Sequence, residues 1–164
     1  MRKSRPSLLT GALVAGGFAS LFSTLALVKA GARRAGALAP VNAVSHWYWG
    51  DKAFHRPQAD LRHTLLGYLT HHGASVFWSA LLMRRLHKVR PPVTAADIVV
   101  ASATTSALAC VVDFKFTPQR FTPGFEHEID KRAIAGVYVA FAAGMALGTL
   151  LTHAAPDAKD LGAP

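Results

Sequence analysis

Four apolar runs separated by polar connections dominate the chain. From Leu8 to Val28 there are 21 residues without a charge. As a helix this run is about 31 Å long at roughly 1.5 Å per residue, which matches the hydrocarbon thickness of a bilayer. The other runs cover 64–83, 95–112 and 133–152. Each is near the ~20 residues that a spanning helix needs, and in lipid a helix alone satisfies its own backbone groups along such a run. The pattern predicts an all-α integral membrane four-helix bundle, a single membrane domain over 1–164 with a disordered tail over 154–164.

The first run follows Arg2, Lys3 and Arg5, as a secretory signal would. It is longer than the ~7 to 15 residues of a signal core, and the best small-residue cleavage pattern, Ala37-Leu38-Ala39, lies far past its end. A retained anchor is therefore expected. Small residues recur every four positions at Gly11, Ala15, Ala19 and Ser23, and again at Gly136, Ala140, Gly144 and Gly148. Such stripes let helix backbones approach closely. They imply a compact bundle, with homodimerisation through the fourth run as the alternative use of its stripe.

Composition agrees with membrane residence. The chain is 51% hydrophobic and 16% charged, whereas soluble chains carry roughly 25% charged residues. There are 18 Lys+Arg against 9 Asp+Glu, a net charge of +9. These cations flank the apolar runs and form no basic stripe interleaved with aromatics. The lipid bilayer, and not nucleic acid, is thus the expected partner. Cys110 is the single cysteine, which excludes an internal disulfide and any CxxC metal site.

Charge also bears on orientation. With four spans, the first and third loops share one face, carrying 10 Lys and Arg, against 8 on the face of the termini and the second loop. The totals barely choose. Arg84, Arg85, Lys88 and Arg90 crowd the shortest loop beside a span end, where the positive-inside rule acts most strongly, so the termini are assigned to the cytoplasmic side of the membrane.

The first loop carries its own signals. Pro40 suits a first helical position, Gly50 suits a helix stop, and Trp47, Tyr48 and Trp49 suit headgroup depth. A short interfacial helix is predicted over 40–49, with Asn42 and His46 one turn apart. Asp60 is placed to cap the second span. In the third loop Phe116-Thr117-Pro118 is repeated as Phe121-Thr122-Pro123, and Pro123-Gly124 favours a tight turn. Glu126, Glu128 and Asp130 precede the fourth span, where the helix dipole favours negative charge.

Two sets of residues are candidates for chemistry. Asp51, Asp60, Asp113, Glu126, Glu128 and Asp130 share the loop-one and loop-three face with His46, His55, His63 and His127. Imidazole with carboxylate suits zinc, iron or manganese, so a metal-dependent membrane enzyme using His46, His63, His127, Asp113 and Glu126 is the second functional reading. No recognised ligand spacing such as HExxH supports it.

The first reading rests on His71-His72 near the middle of the second span. At 100° per residue, His63, Thr64, Gly67, Tyr68, His71, His72, Ser75, Trp78 and Ser79 fall within one half of the wheel. That side must face protein or water, since ionisable groups in lipid are costly. Ser102, Ser106, Cys110 and Asp113 share one side of the third span and are its expected partners. The reading is a non-enzymatic protein whose intramembrane face of Tyr68, His71, His72, Ser75, Ser79, Ser102, Ser106 and Asp113 stabilises the bundle and binds a small polar ligand or relays protons. It requires no cofactor. Bis-histidine haem is disfavoured because His153, the other span-associated histidine, lies roughly 15 Å from its helix's middle. Desaturase-like histidine boxes, GxSxG, P-loop, Rossmann and kinase motifs do not occur.

Pro40-Val41-Asn42-Ala43-Val44-Ser45-His46-Trp47-Tyr48-Trp49-Gly50, Val112-Asp113-Phe114 and Pro118-Gln119-Arg120-Phe121-Thr122-Pro123-Gly124-Phe125-Glu126 resemble segments of small uncharacterised proteobacterial inner-membrane proteins. The resemblance implies a four-span shape and a membrane location. It implies no activity and no catalytic residues.

Overall fold

A computed structural model describes residues 7–89 and 92–154. They are all-helical, with no strand among the described residues. The four apolar runs fold as four long helices, α1 (Leu8–Ala32), α4 (Leu66–Lys88), α5 (Ala95–Val111) and α6 (Lys131–Ala154). Between α1 and α4 lie two short helices, α2 (Ala39–Ala43) and α3 (His46–Trp49). Three segments are long and apolar enough to cross a membrane: α1, α5 with the π-helical turn that follows it, and α6. The long helix α4 is more polar, because His71, His72, its serines and a basic end at Arg84, Arg85 and Lys88 interrupt its apolar run.

Each long helix starts on a side-chain cap that satisfies amides left unpaired in the first turn. Ser7 Oγ accepts from Thr10 N at 3.0 Å. Thr94 and Asp97 cap α5 reciprocally, at 3.1 and 2.9 Å. Asp130 Oδ1 accepts from Ala133 N at 2.9 Å. Asp60 Oδ1 accepts from His63 N at 2.6 Å, as expected, although the turn it caps, Leu61–Leu65, is a π-helical lead-in to α4. The residues beyond these limits, including Arg2, Lys3, Arg5, Arg90 and the tail after Ala154, lie outside the described residues.

Helix α1 is the centre of the packing, antiparallel to both α4 and α6. A Cβ at Gly148 would lie 2.7 Å from Ala15 Cα, and one at Gly144 2.7 Å from Ala19 Cα. The two small-residue stripes therefore meet each other inside the chain, which is the close-approach geometry such residues permit. On its other side, a Cβ at Gly16 would lie 2.6 Å from Val76 Cα of α4. Gly136, at the far end of the α6 stripe, faces open space. Leu82, Met83, Ile98, Phe141 and Met145 fill the core between the helices. Leu9, Leu21, Leu25, Val100, Val139 and Leu151 are exposed on the long helices.

The segment expected to form one interfacial helix over 40–49 is not a single helix. It breaks at Val44-Ser45 into α2 and α3, and residues 39–46 are buried throughout. The cause is close packing by small residues. Gly67 of α4 comes against the Val41 carbonyl, Gly31 of α1 against Pro40, and Gly124 of the third connection against the Ala43 carbonyl and His46. The predicted ends are present: Pro40 sits in the first turn of α2, and Gly50 stops α3 with φ 60°. The Pro123-Gly124 turn is also present, with Gly124 at φ 88°.

The first and third connections interlock over this buried segment. Trp47 Nε1 donates to Thr122 O at 2.9 Å, and its ring packs edge-on to Phe121 at 5.7 Å. The Arg120 guanidinium donates to the carbonyls of His46 and Trp47. Glu128, fully buried, accepts from His55 N at 2.6 Å and lies 3.3 Å from its imidazole. Thus Glu128 ties the first loop down, while Asp130 serves the start of α6.

Candidate functional site: a cavity along the α4–α5 seam

The polar side of α4 meets α1, not α5. His71 Nε2 lies 2.7 Å from Ser23 Oγ, and His72 Nδ1 lies 2.9 Å from Ser20 Oγ. Tyr68 stacks on His72 with ring centroids 5.9 Å apart. Ser75 Oγ donates to His71 O at 2.8 Å. Ser23 donates to Ala19 O at 2.7 Å. A hydroxyl has one proton, so Ser23 accepts from His71 Nε2–H, and Nδ1 is left as the acceptor of that imidazole.

The polar side of α5 turns to α6 instead. Tyr138 OH donates to Asp113 Oδ2 at 2.5 Å, and Ser106 Oγ donates to Tyr138 O at 2.7 Å. Ser79 and Ser102 are buried with no hydrogen-bond partner among the described residues. The expected α4–α5 polar face is thereby divided into an α4–α1 set and an α5–α6 set. The physical reason is that α4 and α5 touch less than α4 touches α1 or α5 touches α6.

Between them is a cavity of about 560 Å³. Its walls are aromatic, with Trp47, Phe77, Trp78, Phe121, Phe125 and Phe141. His71 and Ser75 border it from α4, Asp113 from the end of α5, and Tyr138 from α6. A volume of this size, apolar walls and a few convergent polar groups are the usual features of a small-molecule site. Chemically the groups offer hydrogen bonds and a carboxylate, with no nucleophile set against a base.

The five residues grouped as metal ligands do not gather. His46 and His127 both pack on the Phe54 ring, at 5.3 and 4.4 Å between centroids. His63 pairs with Asp60 at 2.9 Å, and the His63 backbone amide holds the Asp60 carboxyl below the usual carboxylate range. Asp113 is engaged by Tyr138, and Glu126 sits in the 3₁₀ turn Phe125–His127. Among the described residues no three His, Cys, Asp or Glu side chains form a group able to hold a metal ion.

No family model matches the chain, and no curated protein or solved structure matches it either. The site is therefore argued from its own geometry. Sequence reasoning placed His71, Ser75 and Asp113 at polar positions and missed Ser20, Tyr138 and the aromatic wall. Ser20 is one of four hydroxyl residues in the first run, with Thr10, Ser23 and Thr24, so nothing local singled it out; Tyr138 is the one tyrosine of the fourth run, and that was the available signal.

Proposed function

We propose that this chain is a four-span bacterial inner-membrane protein that binds a small membrane-soluble amphiphile, without transforming it, in the cavity along the α4–α5 seam. Outward-facing leucine and valine on the long helices support lipid exposure, since the polar residues of α4 and α5 turn inward. Arg84, Arg85 and Lys88 at the end of α4 support a cytoplasmic α4–α5 connection and cytoplasmic termini. The observation that carries the ligand reading is the cavity itself: aromatic walls for an apolar body, and His71, Asp113 and Tyr138 for a hydrogen-bonding head.

Trp47 and Trp78 line the cavity and report its occupancy. Purified protein in lipid nanodiscs is titrated with a bromine-bearing medium-chain alcohol, whose heavy atom quenches indole fluorescence on contact. Saturable quenching that is lost when Ala109→Phe fills the cavity is the expected result. Quenching that is linear, and the same in Ala109→Phe, overturns the ligand reading.

A further inference from the structure

A second concavity, of about 460 Å³, lies where the end of α1 meets the start of α6, apart from the α4–α5 seam. Lys29, Arg33 and Arg34 border it from α1 and the turn that follows, and Arg132 from α6. Asp130 is the single acid on its wall, held by Arg34 at 3.3 Å. The four cations against one carboxylate leave a net charge of +3. Lys29, Arg33 and Arg132 form no ion pair among the described residues. Clustered cations of this kind raise a local positive potential that draws anions to the site.

The floor of this concavity is different in kind. Ala26, Ala30, Ala133 and Gly136 line it, and outside the adjoining α6 backbone no described atom lies within 4 Å of where a Gly136 Cβ would stand. The antiparallel register that sets Gly144 on Ala19 and Gly148 on Ala15 carries on toward this end and brings the α1 cations beside Arg132. Lys29 directly follows the apolar run of α1, and Arg132 directly precedes that of α6. A cluster of cations therefore stands at one end of a shallow groove of small residues, at the depth where headgroups lie if the helices span a bilayer.

We infer that this groove is a binding site for an anionic phospholipid carrying two phosphates. The phosphates meet Arg33, Arg132 and Lys29, and one acyl chain lies along the small-residue floor past Gly136. Arginine suits the role because its planar fork donates two hydrogen bonds to phosphate oxygens. The site rests on the membrane reading of the chain but not on the α4–α5 cavity or on its orientation, because it needs only a leaflet with phosphate headgroups.

The test uses the full-length protein in nanodiscs of phosphatidylcholine, with cardiolipin, phosphatidylglycerol or soluble inorganic pyrophosphate added, and native mass spectrometry as the readout. Cardiolipin is expected to bind more tightly than phosphatidylglycerol. The double variant Arg33→Gln/Arg132→Gln is expected to weaken cardiolipin roughly thirtyfold, at about fivefold per charge near a membrane surface. Gly136→Leu blocks the floor, so it is expected to weaken cardiolipin and leave pyrophosphate unchanged. Equal cardiolipin binding by wild type and double variant overturns the inference. So does pyrophosphate binding as tightly as cardiolipin with no effect of Gly136→Leu, which would make the site one for soluble phosphate. Carbonate washing of membranes separates this failure from that of the membrane reading: recovery of the protein in the wash removes both, whereas retention with indifferent lipid binding removes the lipid site alone.

Discussion

Tyr138 of α6 donates a hydrogen bond to Asp113 in the π-helical turn after α5, 2.5 Å away, and closes one wall of the α4–α5 cavity. Both residues are partly buried, so neither finds a full replacement for the other in water. Tyr138→Phe is expected to lower stability by about 1–3 kcal/mol, the cost of leaving a buried polar group unpaired. Asp113→Asn still accepts and is expected to cost less. The double variant should be milder than the sum of the two, since the residues share one interaction. Thermal unfolding in detergent measures all three, and strict additivity would show the pair to be uncoupled.

His71 and Ser23 behave differently. Ser23 keeps its bond to Ala19 O when the imidazole is removed, so His71→Leu leaves no orphaned hydroxyl. Its expected effect on unfolding is below about 1 kcal/mol, because removing a polar group without stranding its partner is nearly neutral. Amphiphile binding in the cavity should nevertheless fall. A large loss of stability with unchanged binding would assign the imidazole to packing.

The α6 stripe offers a contrast between neighbouring glycines. Gly144→Ala and Gly148→Ala place a methyl within 2.7 Å of α1 backbone atoms and force the helices apart, at a cost of about 1–3 kcal/mol each. Gly136→Ala meets open space, and the better helix propensity of alanine makes it neutral or stabilising by up to about 1 kcal/mol. Chemical denaturation ranks the three variants. Equal effects would mean that the α1–α6 contact is not what the stripe serves.

Acid should loosen the start of α4. The Asp60 carboxyl is held below its ordinary value first by the His63 amide. A carboxyl whose folded pKa is depressed adds stability that is complete above its unfolded value, about 3.9, and is lost as pH falls through the folded value. Asp60→Asn keeps a capping oxygen, so it is expected to change little at neutral pH. Between about pH 5 and the folded value of Asp60 it should flatten the decline seen in wild type. The Asp130 carboxyl is depressed by the Ala133 amide and contributes in the same direction at the start of α6, so the decline is reduced and not abolished. Melting temperature against pH, for Asp60→Asn beside wild type, is the measurement.

Arg120 joins the two connections by donating to the carbonyls of His46 and Trp47. Lysine lacks the planar fork that reaches both at once. Arg120→Lys is expected to cost about 1–2 kcal/mol locally and to raise hydrogen exchange across residues 116–124 and 45–49. Unchanged exchange in both segments would show that Trp47 and Phe121 alone hold the connections together.

The limits of the long helices were legible because they are local. Asp60 announced one helix start, Ser7 and the Thr94–Asp97 pair carry the same local signal although they were not singled out, and the apolar runs fold as helices whose ends differ from the expected ones by a few residues at most sites. The extension of α4 to Lys88 past the apolar boundary at Met83 is the largest difference. Arginine and lysine are good helix formers, and hydrophobicity ends where a helix leaves its apolar surroundings, not where its hydrogen bonds end. The break in the 40–49 segment was not legible for another reason: Gly31, Gly67 and Gly124, distant in sequence, make room to bury residues 39–46.

The amino-acid sequence by itself determined four long helices, the Asp60 cap, the small-residue stripes and which side of α4 is polar, because periodicity and capping act within one helix. Only the tertiary structure decided that His71 and His72 face Ser23 and Ser20 of α1, that Asp113 meets Tyr138 of α6, and that aromatic residues from both connections wall the gap left between α4 and α5. A helical wheel gives the direction of a side chain and not the identity of its neighbour, and that identity depends on how closely each pair of backbones can approach.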